Sequence, residues 1–560
     1  MSDALTRRRL LRRGGAAAGA AALGGGLAGA ALRPASAAAQ EGRELNVLVI
    51  VVNGIRADSV GAFDGAFDDN RVAKTPNIDK LAGDSLRFER AVAESTPAVP
   101  ARRALITGRH AFPYREWRRM DRFAPEPGWN PVYVRQPLVT EALVDAGVET
   151  VWITDNPFFS GPRYDDVVRR TIEVDPDDYP APDPVDAGGT MGREQTHRDV
   201  ERHLVGGIER CAEATERAVA QGIRELDRLR DKRFFLAVDG FDSAEAYAVP
   251  RTWTRSLDLD PSLDAIVRQP AWIVAADIGD ETVAMARDAY MEGVRTVDRA
   301  VGDLMRKVED LDLLEDTAVF LVGDGHTMLG EHGWLGRGAP GSYKHAYFTP
   351  YLIRDPRGRR SGNYSYYYAS THDVAPTALS LMGVDIPGRM DGEDLTALLD
   401  DEDPPKRKAF MAATITKIAA GDPRWLMLTD MDKAGIQLHD FDEDNDKDDD
   451  ERENVVRKYP QVVEELWKVP LAVGQGTLPD FDANGAVRPL PEDDDLDDDG
   501  IEDRDETNDE TSGGTRDSDA DDLEFDQSGR PIDNREPIPT RTTEIEPPPA
   551  PPEPSAAPSP

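Results

Sequence analysis

A single cysteine, Cys211, stands in a chain of 560 residues. No intrachain disulfide can form, and the core must be held by packing alone. Basic residues are scarce beside acidic ones, 66 against 106, and the formal net charge is −40 at pH 7. That balance argues against nucleic acid or anionic lipid as a partner and suits calcium, a salt-rich medium or plain solubility. The surplus is uneven: Pro491 to Pro560 holds 24 acidic and 5 basic residues. Long hydrophobic runs are also missing, for beyond the first forty residues no stretch is apolar enough to span a bilayer. The length leaves room for two or three folded units.

The N-terminus does have a pattern. Thr6-Arg7-Arg8-Arg9-Leu10-Leu11-Arg12 is a twin-arginine sequence, followed by an Ala/Gly/Leu region and a small-residue cleavage site at Ala35-Ser36-Ala37. A membrane anchor is the alternative, but many glycines interrupt the run. Residues 1–39 therefore read as a cleavable export signal that takes the protein to the cell surface or the extracellular medium. No cysteine follows to carry a lipid.

Glu44 to Arg56 is an apolar, β-branched run ending at Asn53 and Gly54, which predicts a buried parallel strand delivering a polar residue at its carboxyl end. In open α/β sheets the ligand crevice lies outside those ends. Helix-then-strand units recur: helices over Thr75–Leu81, Ala98–Arg109, Leu138–Ala146 and Ala212–Arg230, strands over Ser85–Ala93, Val148–Thr154 and Phe234–Asp239. Pro100 suits a first helical turn, and a helix start beside Arg102 and Arg103 is a natural seat for an anion. Tyr290, Val294, Val297, Val301, Leu304, Val308 and Leu311 alternate spacings of four and three, one stripe along a helix. It leads into a strand, Ala318–Val322, that ends at Gly323-Asp324-Gly325-His326. Beyond Met411, short strands at Arg424–Thr429 and Gly435–Phe441 and a helix at Pro460–Lys468 indicate a smaller subdomain with an antiparallel sheet. From about Leu478 the chain is Asp-rich, then Pro-rich, with too little apolar surface to offset the entropy of ordering.

Asn46–Gly61, Pro100–Arg109 (PARRALITGR), Arg233–Asp242 (RFFLAVDGFD), Gly323–Gly333 (GDGHTMLGEHG), Asp373–Thr377, Met390-Asp391-Gly392 and Gln437–Asp440 come in the order of the landmarks of the sulfatase family, within the alkaline-phosphatase superfamily, and the chain resembles that family from about Leu45 to Lys468. The resemblance implies an α/β fold with a doubly wound mixed sheet over residues 44–410, a small C-terminal α+β subdomain over 411–477 and a tail over 478–560. It also implies sulfate-ester hydrolysis, by a cysteine-derived formylglycine and a divalent cation, usually calcium, held by oxygen donors.

Carried across residue by residue, most of that apparatus is absent. The paired cation-binding aspartates are Asn53 and Gly54, the nucleophile position is Ala98, so no formylglycine can form, and the residue after Asp324 is Gly325, with a histidine displaced to His326. The middle strand leads to Asp242-Ser243-Ala244, and the usual lysine corresponds to Arg337. Arg102 remains as the catalytic candidate, and Arg102, Asp242 and Arg337 as the ligand-binding candidates; Asn53, Asp324 and His326 remain as a weak cation set, against which stands a polar strand end bonded to its own loops. Arg102 either serves a sulfated or other anionic ligand or pairs with Asp324 or Asp242. Ser95 and Thr96 lie too far from position 98 to replace the nucleophile with near-attack geometry. His332 and His345 read as structural or exposed.

A second constellation lies in the tail. Asp495, Asp497, Asp499, Ile501, Asp503 and Glu506, with Gly500 at the sixth place, fit an EF-hand-type calcium loop and resemble thrombospondin type 3 repeats; a solvated acidic tether is the alternative. The expectation is an exported sulfatase-like protein with a dismantled centre, binding an anionic ligand or serving a structural surface role. The alternative is an active sulfuric- or phosphoric-ester hydrolase with an altered centre.

Overall fold

The structure is a computed structural model. It describes residues 44–63, 74–113 except 97, 117–118, 126–127, 136–154, 164–170 except 165, 215–240, 272–274, 280–337 except 326, 343–402, 407–414, 417–441, 451–474 except 452, 476, 478, 480–481 and 487–488. The segments read as an export signal, residues 1–39, and as a calcium loop, Asp495 to Glu506, lie outside these residues.

Thirteen strands and eight helices position the site. In chain order they are β1 (Asn46–Val52), α1 (Pro76–Gly83), β2 (Leu86–Phe88), β3 (Ser95–Thr96), α2 (Ala98–Thr107), α3 (Val139–Asp145), β4 (Glu149–Thr154), β5 (Val168–Arg170), α4 (215–229), β6 (Phe234–Gly240), α5 (Asp280–Asp310), β7 (Thr317–Gly323), α6 (Lys344–Tyr347), β8 (Tyr351–Arg354), β9 (Tyr364–Ser365), α7 (Val374–Leu381), β10 (Phe410–Thr414), β11 (Lys417–Gly421), β12 (Trp425–Asp430), β13 (Gln437–Asp440) and α8 (Pro460–Val473). The main sheet runs β9-β2-β8-β7-β1-β6-β4-β5. β1 lies at its middle, parallel to β7 on one side and β6 on the other, and β8 is antiparallel to both its neighbours.

All seven residues of β1 are buried. Because side chains alternate across a strand, Leu48, Ile50 and Val52 face one layer, with Val294, Val301 and Leu304 of α5, while Val47, Val49 and Val51 face the other, with Leu105 and Ile106 of α2 and Leu379 of α7. A strand buried on both faces needs a continuous apolar run, which is how its sequence reads. The stripe expected on α5 is the face it buries. α1 starts at Pro76 with no side-chain cap of its own; Asp298 of α5 supplies one, its Oδ1 accepting the N–H groups of Asn77 and Ile78 at 2.9 Å each.

The second sheet runs β13-β12-β11-β10-β3, an antiparallel meander that captures β3 in parallel beside β10. Two expectations need correction. The strand over Ser85–Ala93 shortens to β2, because the chain turns at Glu89 and Arg90 and Val92 makes only isolated bridges to Phe348 and Ser370. The last helix runs past Lys468 to Val473, with Pro470 inside it.

Candidate functional site

Three polar residues arrive at the carboxyl ends of adjacent central strands: Asn53 after β1, Asp239 in β6 and Asp324 after β7. α2 places Arg102 against them. Its Nε donates to both oxygens of Asp239 at 3.2 Å, its Nη2 to Asp239 Oδ1 at 2.6 Å, and its Nη1 to Asp324 Oδ2. The other oxygen of Asp324 accepts the Gly54 N–H at 2.5 Å, and Thr154 at the end of β4 donates its hydroxyl to Asp239 at 3.2 Å. All three charged side chains have no solvent exposure. Burial opposes the guanidinium charge, but Asp239 and Asp324 outweigh it and hold Arg102 above its ordinary pKa. Of the two pairings left open for Arg102, the one to Asp324 is present; its second carboxylate is Asp239. Asp242 and His326 lie outside the described residues.

The neighbouring turns are closed by backbone. Gly325 has φ +68°, and a Cβ there would stand 2.8 Å from the Ala346 carbonyl oxygen of α6 and 3.0 Å from the Ala93 Cβ. Gly54 has φ +66°; its carbonyl accepts hydrogen bonds from the hydroxyls of Tyr290 at 3.2 Å and Thr327 at 3.0 Å. A calcium ion needs six to eight oxygen ligands. The described residues at these strand ends offer Asp324, already facing a guanidinium and an amide N–H, Asp239, already accepting from that guanidinium and the Thr154 hydroxyl, and the amide of Asn53, with glycine at 54 and 325. They do not fit the family's cation, and alanine at 98 does not fit its formylglycine.

Ser95 and Thr96 form β3; the Thr96 hydroxyl shares a 2.9 Å hydrogen bond with that of Thr414, and both residues are buried. Arg337 ends a strand, Trp334–Arg337, paired with Thr327–Leu329. Between those two strands, Glu331 binds a second buried arginine, Arg56, at 3.0 Å. Burial would raise the Glu331 carboxyl, but Arg56, with His345 and a hydrogen bond from the Leu329 N–H, holds it down at about 2.

A separate cavity of about 330 Å³ lies between α8, β10 and the segment after α2, with His110, His372, Arg407 and Lys468 set against Phe410 and Val473. The His110 Nδ1 donates to the buried Glu94 at 3.1 Å. Burial works against that charge, yet the bond to Glu94 raises His110 above its usual value. His372, with its ring centroid 4.1 Å from that of His110, is pushed well below the usual value by burial, with His110 and Arg407 adding to the effect. Asp239, Glu94, His110, His372 and Arg407 escaped the sequence reading. Asp239 alone carried a signal, being a polar residue at the end of a buried apolar strand.

An eight-stranded mixed sheet with its charged cluster at the carboxyl ends of the central strands is an α/β fold of alkaline-phosphatase and sulfatase type. The sulfatase family profile matches residues 45–384, more than half of the chain, and the chain belongs to that family. It is 31% identical over 113 residues to an N-acetylglucosamine-6-O-sulfatase of Bacteroides thetaiotaomicron, covering 20% of each chain. It is 37% identical over 107 residues to the low-salt glycan biosynthesis sulfotransferase Agl7 of Haloferax volcanii, covering 18% of this chain and 25% of that one. The matched stretches thus span a fifth to a quarter of these relatives. The solved phosphonate monoester hydrolase of Agrobacterium radiobacter superposes with a TM-score of 0.55 at 20% identity, over 77% of this chain and 96% of the other, a likeness of fold.

Proposed function

We propose that this chain is an exported sulfatase-family protein that has lost ester hydrolysis and keeps the fold to bind a sulfated, anionic ligand or to serve a structural role at the surface. One observation carries the loss of turnover: Arg102 is bonded internally to both Asp324 and Asp239, so the positive charge of the pocket is already taken up by two carboxylates. Hydrolysis of a sulfate ester needs a nucleophile on the near side of sulfur and positive charge on its oxygens. Position 98 supplies no nucleophile, and the positive charge of Arg102 is already met by carboxylate. The relatives named for sulfated sugars make a sulfated saccharide the ligand class we assign. Asp495 to Glu506 would add a weak calcium loop to this role, and the twin-arginine segment its export.

The test is hydrolysis of 4-nitrophenyl sulfate and 4-nitrophenyl phosphate by the exported protein at high salt, with calcium and with EDTA. No turnover above that of Asp324→Ala is expected. Turnover that Asp324→Ala abolishes would establish the rival reading, an active ester hydrolase with an altered centre.

A further inference from the structure

His332 lies in the turn between the strands Thr327–Leu329 and Trp334–Arg337, with its ring stacked flat on Tyr343 at 3.6 Å and 2°. His345 comes from α6, and Glu451 from the segment between β13 and α8. One ligand-type atom of each lies within 4.8 Å of those of the other two.

The detail of these contacts matters. The Glu451 side chain is fully buried. Its Oε1 accepts the Lys344 N–H at 2.8 Å, which fixes the carboxylate, while its Oε2 accepts no hydrogen bond. The Nδ1 of His345 is likewise buried without a hydrogen-bond partner. Two such atoms in one cluster are costly unless something else fills the space. The separation between His332 Nε2 and Glu451 Oε2 is 3.4 Å. That is long for a charge-assisted hydrogen bond, normally about 2.7–2.9 Å, and it equals the roughly 3.4 Å that separates two ligands on a tetrahedral ion with bonds of about 2.0–2.1 Å.

We propose that His332, His345 and Glu451 form a binding site for zinc or a similar divalent transition metal. Two imidazole nitrogens and one carboxylate are a borderline donor set, which selects this class over calcium or magnesium, whose ligands are oxygens. Three protein ligands leave the fourth tetrahedral position to water or an anion, the arrangement of open zinc sites. The stacked Tyr343 holds the His332 ring plane, and the Lys344 N–H orients the carboxylate, as outer partners of metal ligands do. This site is distinct from the acidic tail and does not depend on whether the chain hydrolyses esters.

The test uses the full-length protein stripped with EDTA and titrated with zinc in excess calcium, which occupies oxygen-only sites. One equivalent of zinc retained after desalting is expected, together with the visible absorption of tetrahedral cobalt when cobalt replaces it. Glu451→Gln keeps the shape and should weaken zinc binding at least about tenfold, with unchanged thermal unfolding in EDTA. If Glu451→Gln does not fold, His345→Ala, at a partly exposed position, should show the same loss. No retained zinc in the wild type, or both variants binding as the wild type does, would overturn the proposal.

Discussion

Replacing Arg102 by methionine keeps most of the side chain's length and removes its charge. Two carboxylates with no solvent exposure, Asp239 and Asp324, would then face each other with no cation between them. Asp239 would lose three hydrogen bonds and Asp324 one. Removing one partner of a buried charge pair typically costs about 3–5 kcal/mol, a large part of the roughly 5–15 kcal/mol that holds a folded protein together. Urea is the suitable denaturant because it leaves the charges unscreened. The unfolding free energy of Arg102→Met should fall by that amount, read as a lower urea midpoint at an unchanged slope. The triple variant Arg102→Met/Asp239→Asn/Asp324→Asn, which leaves no bare carboxylate, should recover a substantial part. A loss below about 1 kcal/mol in the single variant, or a triple variant less stable than the single, would refute the view that this cluster is a closed internal ion pair.

Two further outcomes can be measured. His110 is raised above its ordinary 6.5 by Glu94, so its contribution to stability is full below that value and is lost as pH rises through the raised one. The advantage of wild type over His110→Asn in urea unfolding should therefore shrink from pH 6 towards higher pH, and an advantage that grows would contradict the His110–Glu94 bond. Gly325→Ala places a Cβ at φ +68°, 2.8 Å from the Ala346 carbonyl; a left-handed backbone alone costs about 1–2 kcal/mol. Unchanged stability in that variant would mean that α6 does not pack tightly against the turn at Gly325.

Much of the fold was legible because its signals are local. β1 and β7 are continuous apolar runs, and the α5 stripe from Tyr290 to Leu311 repeats over about six turns, so burial on two faces or on one follows directly from the pattern. The partner of Arg102 was less legible. A strand end says that a polar residue arrives, as at Asp239 and Asp324, but not which of several will meet the guanidinium. The His110–Glu94–His372 group joins residues before and after α2 to the start of α7, and no spacing within any one segment announces it. β3 was hidden for the same reason, since two residues become a strand only because β10 pairs with them.

The cap on α1 has a consequence for the order in which this chain is made. The carboxylate that closes its first turn belongs to Asp298, 221 residues after Asn77. A nascent chain that has emerged only as far as β4 has the whole of α1 but not the group that satisfies its leading amides, and those must bond water until α5 has been synthesised and has docked. Synthesis order and folding order are thereby separated. The first turn of α1 is completed only once a helix more than two hundred residues further along the chain has arrived.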